Sequence, residues 1–139
     1  MHTAVSQFDW TIYRHMFSAD RMEKIFGEHG TIERWVVVEK ASARAQAKVG
    51  IMPADAAQAI NDRLSAGKLD LERLHADTLD VGRPIAGLIR QLAEQAGDGH
   101  DVWVHYGVTT YDVMDTGKAL QVRDGITEIV SALDTYQNL

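Results

Sequence analysis

Two adjacent hydroxyl residues and two acids mark the segment of this chain best suited to bind a charged substrate. Thr109 and Thr110 are followed by Asp112 and Asp115, and this order of residue types is typical of a helix N-terminus. The first turn of a helix presents free backbone N–H groups and a partial positive charge. A substrate carboxylate could bind there, with the threonine hydroxyls as further donors. The alternative is that these residues cap a helix and do nothing more.

A histidine lies four residues before the threonine pair. His105 stands in a segment that also holds Trp103, Val104 and Tyr106, and such surroundings could orient an imidazole ring for catalysis. The alternative is a partly buried structural histidine. No histidine pair has the His-Glu-x-x-His spacing or another metal-ligand spacing, and the glycines form neither a dinucleotide-binding fingerprint nor a phosphate loop. We therefore expect no metal and no cofactor.

Composition narrows the class of protein. The chain has 139 residues, of which 45% are hydrophobic and 24% charged, which suits one globular domain with a core of its own. The net charge is −6 and the 14 basic residues are dispersed, so nucleic-acid binding is disfavoured. No apolar run reaches the roughly 18 to 20 residues that span a bilayer. The N-terminal residues lack the pattern of a signal peptide, so we expect a cytoplasmic protein without membrane association.

The elements that must position these residues are predicted to be helices. Apolar residues recur at three- and four-residue spacing and alternate nowhere for long, which indicates an all-α fold. A short helix capped by Ser18 and Asp20 should run to about Phe26 and be broken by segment 27–30. A longer helix should start near Thr31 and stop at Gly50. Its predicted buried face consists of Ile32, Trp35, Val36, Ala43 and Ala47.

Three further helices are predicted between Pro53 and the histidine segment. Pro53 should lie in the first turn of one that ends at Gly67, with Ile60 and Leu64 inward. A helical pair split near Gly82 should follow, with its second member opening at Pro84. The apolar residues at helical spacing are Leu71, Leu74 and Leu79 in the first member and Ile85, Leu88, Ile89 and Leu92 in the second.

The last helix is predicted to run from the threonine pair to the last residue. Thirty residues at about 1.5 Å each make about 45 Å, which exceeds the diameter of a domain of this size. Its apolar stripe continues to Tyr136 without a terminating signal. We interpret the helix as one that needs partners and the sequence as part of a longer chain.

Two blocks of the sequence resemble the fumarase/aspartase superfamily, in particular the branch of adenylosuccinate lyase and 3-carboxy-cis,cis-muconate cycloisomerase. Residues 104–117 are similar to its "H-x-G-x-T-S/T-x-D-x-x-D-T" block, which begins here at His105. Residues 35–53 are similar to its "W-x-x-V-E-x-x-x-A-x-x-Q-A-x-x-G-I-x-P" block, which begins at Trp35 and includes Glu39. The blocks occur in the expected order and separation.

The resemblance implies an architecture and a reaction. It implies an N-terminal helical domain over residues 1–108 and, from residue 109 to 139, the first helix of a central bundle that assembles as a homotetramer. Family members remove a proton next to a carboxylate and expel an amine or oxygen leaving group, usually releasing fumarate, and one branch performs the related cycloisomerisation. The substrate would be a small dicarboxylate.

The resemblance also assigns roles to residues. Thr109 and Thr110 match residues that hold the substrate carboxylate, and His105 matches a histidine near the substrate. Asp80 and Asp112 are further candidates for substrate binding. The family's general acid histidine and the loop with its catalytic serine base come later in the chain than residue 139, so the polypeptide alone is expected to bind substrate weakly if at all and to show no measurable turnover.

Departures from the family pattern bear on the substrate. Leu79 stands where adenylosuccinate lyases carry the histidine of a His-Asp pair, with Asp80 following it. Thr110 replaces a commoner serine, and Tyr111 a commoner Gln or Ser. These differences favour a cycloisomerase-like or aminocarboxylate lyase over adenylosuccinate lyase itself. A different class of function stays open, in which the last helix pairs with a partner and the chain is a helical interaction module without catalysis.

Overall fold

The fold is all-α, as the sequence predicts. The computed structural model describes residues 6–17, 19–97 and 99–138, and no strand occurs among them. Short 3-10 turns lie at Gln7–Asp9, Ala66–Lys68 and Asp101–Trp103. Within the described ranges, no helix is both long enough and apolar enough to cross a membrane. The α-helices are α1 (Arg14–Phe17), α2 (Asp20–Phe26), α3 (Glu28–Lys48), α4 (Ala54–Arg63), α5 (Leu71–Val81), α6 (Pro84–Ala96) and α7 (Thr110–Gln137).

Helix α3 is the centre of the structure. It packs against α4 and α7, while α5 and α6 form a hairpin whose second helix also contacts α4. Ala47, predicted to be inward, is half-buried. The other predicted core positions of α3 are confirmed as buried: Ile32, Trp35, Val36 and Ala43.

The junction of α2 and α3 differs from the prediction. Helix α3 begins at Glu28, and Gly27 precedes it in an extended conformation. Gly30 therefore lies inside the helix. A Cβ atom there would stand 2.1 Å from the carbonyl oxygen of Lys24, so this glycine permits the close approach of α2 and does not break a helix. Ala19 occupies the N-cap position of α2 and Asp20 its first turn, whereas Ser18, the other predicted cap, lies outside the described residues.

The region between α4 and α6 follows the predicted order with shifted bounds. Pro53 is the residue before α4, not part of its first turn, and α4 ends at Arg63, four residues before Gly67. Gln91 and Gln95 of α6 hold the segment between α4 and α5 by hydrogen bonds. The Gln91 side chain bonds both the N–H and the carbonyl of Asp70, and that of Gln95 does the same with Ser65.

The α5–α6 hairpin turns at Gly82, whose φ of 75° lies in the left-handed region that glycine adopts readily. On α6, Ile85, Leu88 and Leu92 are buried as predicted, and Ile89 is half-buried. On α5 only Leu74 is buried. Leu71 and Leu79, the other two leucines noted in this helix, are exposed.

Helix α7 is 28 residues long. It packs on α3 and on α2. The fully buried Gln121 donates hydrogen bonds to the carbonyl of Ile25 at 2.6 Å and to the hydroxyl of Thr31 at 2.9 Å. Beyond Gly125 every apolar side chain that was predicted to continue the stripe is at least half exposed, namely Ile126, Ile129, Val130, Leu133 and Tyr136.

Candidate functional site

The segment between α6 and α7 follows a winding path that left-handed residues make possible. Gly97, Gly99 and Gly107 all have positive φ, a conformation that costs glycine little. His105 has a φ of 61° and is the one non-glycine residue with positive φ in the part of the chain that the structure describes. A backbone conformation of this kind carries strain and occurs preferentially at functional sites.

The His105 ring is paired with a buried carboxylate. Its Nδ1 lies 2.6 Å from Oε1 of Glu39, whose side chain is 2% exposed, while that of His105 is 20% exposed. An ionised carboxylate can only accept a hydrogen bond, so with Glu39 ionised the proton of this contact lies on Nδ1. Nε2 is then the nitrogen left for other partners.

Helix α3 also anchors the residue that follows His105. Gln46 donates hydrogen bonds from Nε2 to the carbonyl oxygen of Tyr106 at 2.7 Å and to the hydroxyl of Ser42 at 2.9 Å. The Tyr106 ring packs on Trp103 with a centroid distance of 4.9 Å. The hydrogen bond from Gln46 and the ring contact with Trp103 therefore both stabilise the left-handed turn at His105.

The predicted helix N-terminus is present at the threonine pair. Thr109 is the N-cap residue of α7 and has extended backbone, and Thr110 is the first helical residue. Thr110 is half-buried, whereas Thr109 and Asp115 are exposed. The free N–H groups of this first turn are the groups that could bind an anion.

Asp112 has a local partner. Its Oδ2 accepts a hydrogen bond of 2.9 Å from the backbone N–H of Thr109, which forms half of a capping box. The carboxylate thus stabilises the start of α7. A substrate-binding role for Asp112, also predicted from the sequence, would require this same carboxylate to face a second anion.

A cation from the α5–α6 turn reaches the start of α7. The guanidinium carbon of Arg83 lies 5.7 Å from the centre of the Tyr111 ring, a cation–π distance. Asp80, the remaining predicted site residue, is exposed in the last turn of α5. Within the described ranges its side chain makes no hydrogen bond or ion pair, so no such contact links it to His105 or the threonine pair.

Sequence reasoning gave no role to Glu39 and Arg83. The signal for Glu39 was available, because it interrupts the buried stripe of α3 between Val36 and Ala43, where an acid must have a partner. Arg83 and Tyr111 are 28 positions apart, and no local pattern joins them.

Comparison with known proteins gives a consistent set of relatives, although no model of a known protein family matches the chain. The adenylosuccinate lyase of Pyrococcus horikoshii is 33% identical over 116 residues, which are 84% of this chain and 25% of that enzyme. The chain thus spans about a quarter of the length of the curated relatives it matches.

Two solved structures share the fold. The fumarate lyase from Mesorhizobium sp. BNC1 is 43% identical with a TM-score of 0.73, over 81% of this chain and 26% of that one. The 3-carboxy-cis,cis-muconate lactonizing enzyme from Pseudomonas putida is 31% identical with a TM-score of 0.80, over 85% of this chain and 28% of that one. Likeness in sequence and likeness in fold therefore both cover more than four fifths of the chain.

Proposed function

Because this chain belongs to the fumarase/aspartase superfamily, we propose that it forms the carboxylate-binding part of an enzyme that acts on a small dicarboxylate. The reaction is elimination of an amine or oxygen leaving group, or the related cycloisomerisation. Relatives that are lyases and a relative that closes a lactone support both versions.

The observation that carries this proposal is the threonine pair at the start of α7, four residues after the His105 that pairs with Glu39. The N–H groups of the first turn are fixed dipoles aimed at one place. Such donors stabilise the extra negative charge that develops on a substrate carboxylate when the neighbouring carbon loses its proton. Thr110 adds a hydroxyl donor, and His105 adds a ring nitrogen.

The chain is proposed to supply one portion of a composite site. By resemblance, the general acid and base of the reaction belong to sequence beyond the portion matched here, so the 139 residues alone are expected to bind substrate weakly and to show no turnover. Residue 109 is proposed as the boundary between an N-terminal helical domain and the first helix of a bundle. The exposed apolar row on the second half of α7 supports association into a homotetramer.

Leu79 and Arg83 indicate which class of substrate the site would accept. Leu79 is exposed and apolar where a nucleotide-handling relative would carry histidine, which supports a cycloisomerase-like or aminocarboxylate substrate. Arg83 next to Tyr111 adds positive charge near the threonine pair, which suits a substrate with more than one carboxylate.

The test is titration of the chain with fumarate, monitored by the backbone amide NMR signals of residues 109–113. We expect these signals to shift in the unaltered chain and the response to be lost in Thr110→Val. Thr127→Val is the matched control, because the Thr127 hydroxyl lies on the same helix and bonds only the carbonyl of Arg123 among the described residues. A Thr110→Val chain that binds fumarate as the unaltered chain does would contradict the proposal.

A second candidate function is that of a helical interaction module, favoured by the exposed row on α7. Under it the start of α7 has a structural role only. Thr109, not Thr110, is the N-cap residue, so Thr110→Val would leave the cap intact and there would be no ligand to lose. Absence of any response to fumarate, together with a stable complex through α7, would favour this candidate.

A further inference from the structure

Glu39 is the one buried acid in the described part of the chain. It lies in the middle of α3 among core residues, and the His105 ring is the only partner that its carboxylate has among the described residues. Removing an acid from water costs several kcal/mol. A buried ion pair is also weak support for stability, because apolar residues of similar volume often do as well or better in its place. The pair therefore calls for an explanation beyond packing.

The Glu39–His105 pair carries a second energetic cost, which is backbone strain at His105. The left-handed backbone of His105 carries strain because it is a non-glycine residue. This backbone turns the side chain back toward α3, where Glu39 meets its Nδ1. Buried charge and backbone strain thus both serve to hold one imidazole in one orientation.

The consequence is a fixed tautomer. With Nδ1–H bonded to Glu39, Nε2 becomes the functional nitrogen: it accepts a hydrogen bond in the neutral ring and donates one in the protonated ring. The ring lies four residues before Thr109 and retains an exposed edge. A carboxylate that fixes the tautomer and direction of a histidine is a common device in enzymes.

We propose that Glu39 is a positioning residue that holds His105 as the Nδ1–H tautomer and thereby presents Nε2 to a dicarboxylate bound at Thr109 and Thr110. This inference rests on the proposed function for the substrate, and the orientation of the ring is tested without it.

The experiment is imidazole ¹⁵N NMR of the full chain, with the His105 signals assigned by their loss in His105→Asn. In the unaltered chain we expect Nδ1 to carry a proton and Nε2 to respond to added fumarate. In Glu39→Gln the amide can donate to Nδ1 as well as accept from it, so the nitrogen signals should change and fumarate affinity should fall about tenfold, the lower range for loss of a carboxylate that orients a histidine. Glu33→Gln is the control, because Glu33 is an exposed acid on the same helix, and it should change neither.

Three outcomes would overturn the proposal. They are an unprotonated Nδ1 in the unaltered chain, His105 signals that are the same in Glu39→Gln, or changed signals with unchanged fumarate affinity. If Glu39→Gln does not fold by circular dichroism, the Nδ1 measurement on the unaltered chain still decides the matter. A chain that binds no fumarate but shows protonated Nδ1, lost in Glu39→Gln, would refute the proposed function and support the orientation of the ring by Glu39.

Discussion

His105 is where backbone strain and a buried charge meet, and their magnitudes predict the effect of removing the side chain. His105→Gly relieves the left-handed strain, worth about 1 to 3 kcal/mol. It also leaves the Glu39 carboxylate without a partner, and breaking a buried pair in this way costs about 3 to 5 kcal/mol. The loss is larger, so we expect a net destabilisation of about 2 kcal/mol by urea unfolding.

The double variant His105→Gly with Glu39→Gln separates the two terms. A neutral amide is easier to bury than an unpaired carboxylate, so the double variant should be more stable than His105→Gly alone. A His105→Gly chain as stable as the original would show that Glu39 does not depend on the ring.

At the scale of single residues, the sequence predicted which residues belong to the candidate site better than it predicted the residues that contact them. Thr109, Thr110 and His105 stand out by type and spacing, and the placement of the two threonines at a helix start follows from the preference of hydroxyl residues for the N-cap. The partner of His105 lies 66 positions away. Contacts across such separations depend on how α3 and the histidine segment pack, which no periodicity encodes.

Helix α7 contains two glycines that packing explains, and they predict different responses to the same substitution. A Cβ atom at Gly117 would lie 2.9 Å from Cδ1 of Trp35, which is 9% exposed, and one at Gly125 would lie 2.9 Å from Cε2 of Phe26, which is 42% exposed. The buried indole has nowhere to move, whereas the phenyl ring can turn toward solvent.

Alanine raises helix propensity by about 1 kcal/mol over glycine, while overpacking costs about 1 to 3 kcal/mol. We therefore expect Gly117→Ala to lower the free energy of unfolding by about 1 kcal/mol, and Gly125→Ala to leave it unchanged or raise it. Thermal unfolding by circular dichroism makes the comparison. Equal losses in both would mean that the two rings are equally confined.

The helices themselves were largely predictable, because glycine and proline mark their ends and a 3.6-residue period marks their faces. The errors have physical reasons. The glycines of segment 27–30 predict a helix break, whereas Gly30 is a contact point with the backbone of α2. Leu74 and Leu79 are both apolar, but five residues turn a helix by about 500°, so the two side chains diverge by about 140° and only Leu74 is buried.

At the scale of the whole molecule, the Asp124 side chain connects α7 with the central helix α3. This contact predicts how the stability of the fold changes at low pH. Asp124 accepts hydrogen bonds from the guanidinium of Arg123 and from that of Arg34 on α3. These bonds, first that of Arg123, lower the pKa of Asp124. The folded state therefore keeps this carboxylate ionised at pH values where the unfolded chain is protonated.

The direction of the change in stability with pH follows from the linkage between proton binding and folding. The stabilisation is fully present above the ordinary aspartate pKa of about 3.9 and is lost as the pH falls through the lowered pKa of the folded state. We expect Asp124→Asn to be less stable than the original at about pH 7 and to lose less stability between about pH 5 and about pH 3. Urea unfolding at these pH values measures both slopes, and parallel slopes would contradict the prediction.

The second half of α7 gives the last prediction, which concerns assembly. Ile126, Ile129, Val130 and Leu133 recur at spacings of three and four residues, so they form one row along the helix, and each is at least half exposed. Four large apolar side chains in a continuous row are expected to be covered by another surface. We expect the cover to be the same row on further copies of the chain, and sedimentation should give a mass that is a multiple of 15.4 kDa.

Ile129→Glu with Leu133→Glu should return the mass to that of one chain. Helix content should not change, because neither side chain lies in the core. Thr127→Glu adds a charge on another side of α7, at an exposed position, and should leave the assembly intact. A chain that sediments as a single copy before any substitution would contradict the prediction, because the apolar side chains of the row would then remain uncovered in solution.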